Sequence, residues 1–188
     1  MNILCEISLR HVHLCAADVE TLWGKGAKLQ FERELSQPNQ FLSKQRLTLV
    51  GPKREIADVA VLGGLRDVSQ VELALSDAYY LGIKDVPVRL SGDLENTPGI
   101  TLKSETGATV KLKSGVIVAK RHVHLDPTSA KKLGFNHGET VKIAFNGERS
   151  AILDGVSVRI DASFAPAVHL DSDEGNAVLA SPRAEIFA

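Results

Sequence analysis

The chain has 188 residues, and its 22 Lys and Arg against 23 Asp and Glu give a net charge near −1. This balance gives no basis for a nucleic-acid or membrane surface, so an anionic ligand must be bound by local positive charge. Cys5 and Cys15 are too few for a disulfide framework, and no apolar run reaches the length of a membrane span, so we expect a cytoplasmic chain with free thiols.

The first predicted element is a strand from Ile3 to Leu14, followed by a short helix from Ala16 to Trp23. Successive side chains of a strand point to opposite faces, so His11 and His13 share one face and Val12 lies on the other. Two imidazoles on one face at the end of a strand form a two-nitrogen clamp for a metal ion.

The same five residues occur twice, because Arg-His-Val-His-Leu covers both 10–14 and 121–125. A single His-x-His is often a chance pair on a solvated strand, but this repeat contains four of the six histidines. Asp126 follows the second copy as a helix N-cap with proline at the next position. The repeat therefore predicts strand, clamp and helix twice, as in a duplicated chain or two similar domains.

Short strands separated by turns predominate in the rest of the chain. The predicted strands cover residues 29–35, 45–50, 56–62, 69–75, 110–112, 116–119, 140–145, 150–153, 156–160 and 167–170. Many short strands at this spacing predict small barrels or a sandwich with few helices.

Two further residues are candidate metal ligands. His169 ends an apolar strand before an acidic turn, and Glu72 lies with Gln70 on the strand face opposite the core residues. Each also has an ordinary interpretation, as a hydrogen-bonded strand histidine and a solvated carboxylate. Cys15 fits a helix start better than a ligand, and His137 lies in a turn where we expect no metal.

Five imidazoles and one carboxylate suit Zn²⁺ or another borderline divalent ion. They divide into two sets of three, which leaves coordination positions open for water or substrate, as in a catalytic site. The predicted ligands are His11, His13, Glu72, His122, His124 and His169.

Phosphate binding would fall to individual arginines, since the chain has no Walker-type loop and no GxGxxG. Arg66 precedes the Glu72 strand and is placed to direct its guanidinium at a phosphate beside the metal, and Arg89 is a second candidate. Either could equally be a surface arginine. Arg10 and Arg121 face away from the histidines, and we expect them to brace the strands or contact the other barrel.

An ordered series of motifs resembles the PduL-type phosphate acyltransferases, also called phosphate propanoyltransferases. The series is Arg-His-Val-His-Leu, Leu-Ser-Gln-Pro (35–38), Val-Gly-Pro (50–52), Gln-Val-Glu, Ser-Gly-Asp, Thr-Pro-Gly-Ile (97–100), Ala-Lys-Arg-His-Val-His-Leu and His-Leu-Asp-Ser-Asp-Glu. It covers nearly the whole chain, and motifs in the right order are more specific than any one alone.

The resemblance implies a reversible reaction of acyl-CoA with phosphate to give acyl phosphate and CoA, on short acyl groups such as acetyl or propanoyl. It also implies a dinuclear zinc site and assigns phosphate binding to Arg66. One zinc, to which the CoA sulfur can bind, would be held by His11, His13 and Glu72, and the other by His122, His124 and His169.

The implied fold is mainly β, with two small barrels that are capped by short helices and related by the internal repeat. Residues 1–9 and 118–188 would form one barrel and 10–117 the other, with the clamps at their junction. We further expect a homo-oligomer. Two features depart from the family: Gly63-Gly64-Leu65 stands where Gly-Pro usually precedes the phosphate arginine, and no amphipathic N-terminal extension is present, so we expect no microcompartment targeting.

Two other functions fit the same residues. A zinc-dependent acyl-CoA hydrolase would use water in place of phosphate. A non-catalytic, metal-stabilised binding module would use the histidines structurally, although such sites more often recruit cysteines. A cupin fits less well, because its glutamate closely follows His-x-His.

Overall fold

The computed structural model describes residues 2–188 and confirms a mainly β fold with short helices. The strands are β1 (Asn2–Ser8), β2 (His11–His13), β3 (Phe31–Glu34), β4 (Phe41–Val50), β5 (Glu55–Gly63), β6 (Gln70–Leu73), β7 (Val88–Arg89), β8 (Ile100–Ser104), β9 (Thr109–Leu112), β10 (Val116–Ala119), β11 (His122–Leu125), β12 (Thr140–Phe145), β13 (Ala151–Ile160), β14 (Ala167–Asp171) and β15 (Arg183–Phe187). The helices are α1 (Ala16–Trp23), α2 (Leu75–Leu81), α3 (Pro127–Leu133) and α4 (Ser172–Val178).

The chain divides into two compact units. Unit 1 contains the residues up to Leu9 together with Ala119–Ala188, and unit 2 contains Arg10–Val118. The predicted strand over 3–14 is therefore interrupted, because β1 pairs within unit 1 and β2 within unit 2. The residues between the two strands connect the units.

Unit 1 is a closed six-stranded barrel with the order β1-β14-β11-β13-β12-β15. In β1, Ile3 and Cys5 are buried while the residues beside them are more exposed, which is the alternation of a strand with one face on a core. β1 runs parallel to β14 and antiparallel to β15, so the first strand of the chain closes a barrel made of its last third. The barrel is filled mainly by branched aliphatic side chains, including Val123, Leu125, Val141, Ile143, Val158 and Leu170.

Unit 2 is a curved nine-stranded sheet with the order β7-β10-β6-β2-β5-β4-β8-β9, and β3 pairs with β4 beside this path. Among the described residues, the end strands β7 and β9 do not pair with each other, so the sheet is a half-barrel rather than a second closed barrel. Its core lies under α1 and α2 and contains Val12, Leu14, Leu22, Leu47, Val61, Val71 and Leu81.

Both helices that follow the clamps form as predicted. At α3, the Asp126 carboxylate accepts hydrogen bonds from the backbone N–H of Thr128 (2.8 Å) and Ser129 (3.0 Å). At α1, Cys15 occupies the N-cap position and its N–H donates to the Ser69 hydroxyl at 2.9 Å. None of the helices within residues 2–188 combines the length and the apolar character that a membrane crossing requires.

Two seven-residue helices were not predicted. The predicted strand over 69–75 stops at Leu73, and α2 begins at Leu75, which is 62% exposed instead of lying on the core face. The predicted acidic turn after His169 is the start of α4, where the Asp171 carboxylate accepts from the Glu174 N–H at 2.8 Å. In both helices the carboxylate three residues after the N-cap residue accepts a hydrogen bond from the N-cap N–H: Asp77 from Ala74, and Glu174 from Asp171.

Candidate metal centres

In unit 2, β2 and β6 bring three candidate ligands together. The two strands are antiparallel neighbours, and their register pairs His11 with Glu72. Glu72 Oε2 lies 3.6 Å from His11 Nε2, and Glu72 Oε1 lies 3.9 Å from His13 Nε2. All three side chains are buried, and their ligand atoms lie within 4.8 Å of one another.

Burial and neighbouring charges set the protonation of this cluster. Burial lowers the pKa of His13 to about 3, and the positive charges of His11 and Arg66 act in the same direction. Burial alone would raise the pKa of Glu72, but His11, His13 and the Ser91 hydroxyl together hold it below its ordinary value. A neutral imidazole and an ionised carboxylate at neutral pH are the forms that bind a metal ion.

A second observation, on the hydrogen bonding of His13, also indicates that these side chains could bind a divalent ion. Within residues 2–188, the Nδ1 atom of His13 is buried and has no hydrogen-bond partner. Buried polar atoms are nearly always paired, so an unpaired nitrogen on a buried imidazole fits a side chain that serves as a metal ligand. The alternative interpretation of Glu72 as a solvated carboxylate is wrong, because the residue is only 7% exposed.

In unit 1, β11 and β14 bring together three histidines. The register pairs His122 with His169, and the ring centroids of His122, His124 and His169 lie 4.7–5.1 Å apart. The Nδ1 atom of His122 lies 2.8 Å from the carbonyl oxygen of Lys120, which can only accept. The proton therefore sits on Nδ1, and the Nε2 lone pair is left to bind a metal ion.

Two other side chains contact this histidine cluster. The Glu6 carboxylate on β1 lies 3.7 Å from His169 Nδ1. The Phe164 ring stacks on the His124 ring with centroids 4.0 Å apart, and the Arg159 guanidinium carbon lies over the Phe164 ring, 5.6 Å from its centroid. The cluster is thus enclosed by an aromatic ring on one side and has a carboxylate beside one imidazole.

The two clusters are built on the same plan. In each unit the third candidate ligand lies on the strand antiparallel to the clamp, directly opposite the clamp's first histidine. Glu72 and His169 therefore occupy equivalent positions of the repeat. Sequence periodicity does not reveal this equivalence, because it depends on which strands pair.

The repeated arginines brace the strands, as the sequence predicts. Arg10 Nε donates to Asp77 Oδ1 at 2.9 Å, and Arg121 Nε lies 2.8 Å from Glu174 Oε1. Each of these carboxylates follows the third candidate ligand by five residues, on the helix that the ligand strand leads into. Neither carboxylate was predicted from the sequence, although the shared spacing could have pointed to them.

Arg66 lies beside the first clamp. Its N–H donates to the Leu14 carbonyl at 2.9 Å, next to His13, and its exposed guanidinium lies near enough to lower the pKa of that histidine. The other candidate, Arg89, pairs with Asp93, with Arg89 Nε 3.4 Å from Asp93 Oδ2. Arg66 is therefore the better placed of the two for binding an anion at the cluster.

Neither of the remaining candidates belongs to a three-ligand group in the described part of the chain. Cys15 starts α1, as predicted. His137 accepts a hydrogen bond from the Ile160 N–H at 3.0 Å through Nδ1, which is a local structural role.

Comparison with known proteins identifies close relatives. The family model described as phosphate propanoyltransferase matches residues 4–181. A phosphate propanoyltransferase of Leptotrichia buccalis is 47% identical over 93% of this chain and 82% of its own length. Those of Thermotoga maritima and Listeria monocytogenes are 46% and 47% identical, over 95% and 92% of this chain and 84% and 80% of theirs. These matches confirm the resemblance seen in the motifs.

Proposed function

Because the chain belongs to the phosphate propanoyltransferase family, we propose that it transfers a short acyl group between coenzyme A and inorganic phosphate. An oxygen of hydrogen phosphate bonds to the thioester carbonyl carbon, the carbon–sulfur bond breaks, and the phosphate proton ends on the CoA thiol. The products are acyl phosphate and CoA, and the reverse reaction uses the same groups. Propanoyl-CoA and acetyl-CoA are the proposed acyl donors.

The observation that carries this proposal is the family match over residues 4–181, and the two three-ligand clusters support it. We infer that each cluster holds one Zn²⁺, so that a chain binds two. Three protein ligands leave at least one coordination position open, and the open position of the His11, His13 and Glu72 zinc is the proposed site for the CoA sulfur. Zinc there would supply a Lewis acid that stabilises charge developing on the carbonyl oxygen or the departing sulfur.

Arg66 is the proposed phosphate-binding residue. A guanidinium binds two phosphate oxygens at once through parallel N–H donors, which fixes the orientation of the anion as well as its position. Its backbone is tied to Leu14 at the end of the first clamp, so the bound phosphate would lie near that cluster. The positive charge also offsets the repulsion that a phosphate dianion would meet beside the Glu72 carboxylate.

A CoA-release assay tests the proposal. The purified protein is given propanoyl-CoA or acetyl-CoA with and without phosphate, free thiol and acyl phosphate are measured together, and bound metal is quantified. We expect thiol release to require phosphate and to match acyl phosphate formation one to one. We also expect chelation to abolish both, and added Zn²⁺ to restore them.

Two variants sharpen the assay. His13→Ala removes a proposed ligand and should lower both zinc content and turnover, whereas His137→Ala, outside both clusters, should leave them unchanged. Thiol release at the same rate without phosphate, with free acid as the product, would identify a hydrolase instead. Bound zinc with no turnover of either thioester would favour the binding module.

A further inference from the structure

We propose that Gln70 is a positioning residue that holds the Glu72 carboxylate in the orientation that binds metal. Its Nε2 atom donates to Glu72 Oε1 at 2.6 Å, while the other carboxylate oxygen, Oε2, faces His11 Nε2. The inference rests on the proposed function in one respect, that the unit 2 cluster binds a divalent metal.

The orientation of the Gln70 amide follows from its other contacts. The N–H of Gly92 lies 3.0 Å from one end of the amide and can only donate, so that end is the carbonyl oxygen. The NH₂ group therefore faces Glu72 and the Ser91 hydroxyl, which lies 2.7 Å from Nε2. The side chain is 2% exposed, so these contacts are made without competition from bulk water.

A neutral donor suits this position. A buried carboxylate needs its second oxygen paired, because a buried acceptor without a donor costs about 1–3 kcal/mol. A lysine or arginine would meet that need but would also neutralise the carboxylate and weaken its attraction for a cation. The amide supplies the hydrogen bond and leaves the negative charge of Glu72 for the metal.

The unit 1 cluster provides an internal comparison. The residue that corresponds to Gln70 is Ala167, since Gln70 pairs with His13 and Ala167 pairs with His124 in the same antiparallel arrangement. The third candidate ligand there is the imidazole of His169, which has no second oxygen to satisfy. A glutamine is thus present in unit 2, where the third candidate ligand is the carboxylate of Glu72. It is replaced by alanine in unit 1, where the third candidate ligand is an imidazole.

The test measures zinc affinity at the unit 2 cluster alone. In a full-length background that carries His124→Ala and His169→Ala, Zn²⁺ is titrated in competition with a chromophoric chelator. Gln70→Met keeps the length of the side chain but removes the donor, and we expect the zinc dissociation constant to rise about 10–100-fold, as for other residues that orient a ligand. Ser91→Ala removes one anchor of the amide and should produce a smaller rise.

Gln45→Met is the matched control. Gln45 is also buried in unit 2, with its Oε1 accepting from the Gln30 N–H at 2.9 Å and its Nε2 donating to the Lys28 carbonyl at 3.0 Å. If Gln70 has a purely structural role, both glutamine variants should lower the melting temperature and keep the zinc affinity of the background chain. The proposal predicts that both lower the melting temperature and that only Gln70→Met weakens zinc binding.

Three results overturn the proposal. The first is unchanged affinity in Gln70→Met, and the second is an equal loss in Gln45→Met. The third is a background chain that binds no Zn²⁺, which removes the metal assignment and this proposal with it while leaving the CoA-release assay to judge the acyl transfer. If Gln70→Met does not fold, Gln70→Leu, which also lacks the donor, takes its place, and unchanged zinc affinity in that variant contradicts the proposal.

Discussion

At the scale of single residues, Arg66 and Arg89 can be compared directly as candidate phosphate-binding residues. Both are arginines of unit 2, but Arg66 lowers the pKa of His13 in the first clamp, whereas Arg89 pairs with Asp93. We expect Arg66→Ala to raise the KM for phosphate at least about 10-fold, the effect of losing a charge-assisted pair of hydrogen bonds. Zinc content and the KM for acyl-CoA should change little.

Arg89→Ala is the control for this prediction. Its charge is already paired with Asp93, so its loss should leave the phosphate KM within about twofold. Initial rates at varied phosphate with fixed propanoyl-CoA give both values. Full activity of Arg66→Ala at limiting phosphate would show that another group binds the anion.

The two thiols should differ in reactivity. Burial raises the pKa of Cys5 from 9.0 to about 11, and the neighbouring Glu6 acts in the same direction. Two pKa units mean about 100-fold less thiolate at pH 8, and the thiolate is the reactive form. We expect one fast-reacting thiol, Cys15, in the native protein and two after unfolding, as measured with a chromogenic disulfide reagent. The Cys15→Ala variant should show none until it unfolds.

Single residues also show where sequence reasoning stops. The alternation of a strand is a local property, so His11 and His13 could be predicted to share a face from the sequence alone. The burial of Glu72 could not, because it depends on β6 lying between β2 and β10 in the sheet. Gln70 was missed for the same reason, since its partners at Ser91 and Gly92 lie on a distant loop.

At the scale of elements, each arginine of the repeat ties a clamp strand to the helix that follows the ligand strand. Asp77 is buried and loses its ion-pair partner in Arg10→Ala, which leaves an uncompensated carboxylate in the interior, where the Ala74 N–H still donates to it. The Arg10 side chain is 40% exposed, so we expect a loss of about 1–3 kcal/mol in the free energy of unfolding, less than for a fully buried pair.

Urea unfolding measures this loss. In Arg10→Ala/Asp77→Ala the second substitution should recover part of the stability, because the unpaired carboxylate is gone. Additive losses in the double variant would mean that the two side chains do not interact.

Gly115 controls the approach of β10 to the start of β6. Its φ is +119°, and a Cβ there would lie 2.8 Å from the carbonyl oxygen of Ser69, the residue before Gln70. We expect Gly115→Ala to cost about 2–4 kcal/mol, from backbone strain of about 1–3 kcal/mol together with the displaced strand. Gly107 also has a positive φ, +88°, but no atom within 4 Å, so Gly107→Ala isolates the backbone strain and should cost less. Thermal unfolding measures both variants. If Gly115→Ala and Gly107→Ala lose the same stability, the close approach to the Ser69 carbonyl contributes nothing to the loss.

The elements differ in how far the sequence predicts them. α3 was predicted because Asp126 and Pro127 mark the start of the helix. α2 and α4 are seven residues each, too short for an apolar periodicity to stand out, and their starts depend on carboxylates that also resemble turn residues. The apolar stretch before α2 therefore extended the predicted strand over 69–75 past its end at Leu73, whereas the predicted strand over 167–170 ended within one residue of β14.

At the scale of the whole chain, the sequence predicted a repeat and a mainly β fold, whereas the closed barrel of unit 1 and the half-barrel of unit 2 depend on long-range pairing that no local pattern encodes. The pairing of β1 with β15 gives a test of this topology. β1 and β15 are antiparallel and Asn2 lies opposite Glu185, so the start of β1 and the end of β15 lie side by side and a short hairpin loop could join them.

A circular permutant should therefore retain the fold. Joining Ala188 to Met1 through a hairpin linker of about 3–5 residues and opening the chain between Leu9 and Arg10 makes each unit continuous in sequence. We expect native circular dichroism, retained metal binding and a melting temperature within about 8 °C of the parent. A permutant opened inside β2 is the control and should lose the unit 2 cluster. Loss of structure in the first permutant would show that the covalent link from β1 to β2 is required.

The position of β1 also has a kinetic consequence during synthesis. β1 leaves the ribosome first, yet its partners β14 and β15 are made last, so its apolar residues wait without a sheet while Arg10–Val118 is translated. In folded unit 2, His11 on β2 and Ile117 on β10 both lie opposite Glu72 on the strand between them, about 10 Å apart by strand spacing. Before unit 2 folds, Arg10–Val118 is a flexible loop of more than half the chain between β1 and the other strands of unit 1. Once unit 2 has folded, the two ends of that loop are held close together. We expect unit 2 to fold first. Its folding lowers the entropy cost of closing the loop between β1 and its partners β14 and β15, and should therefore speed the folding of unit 1.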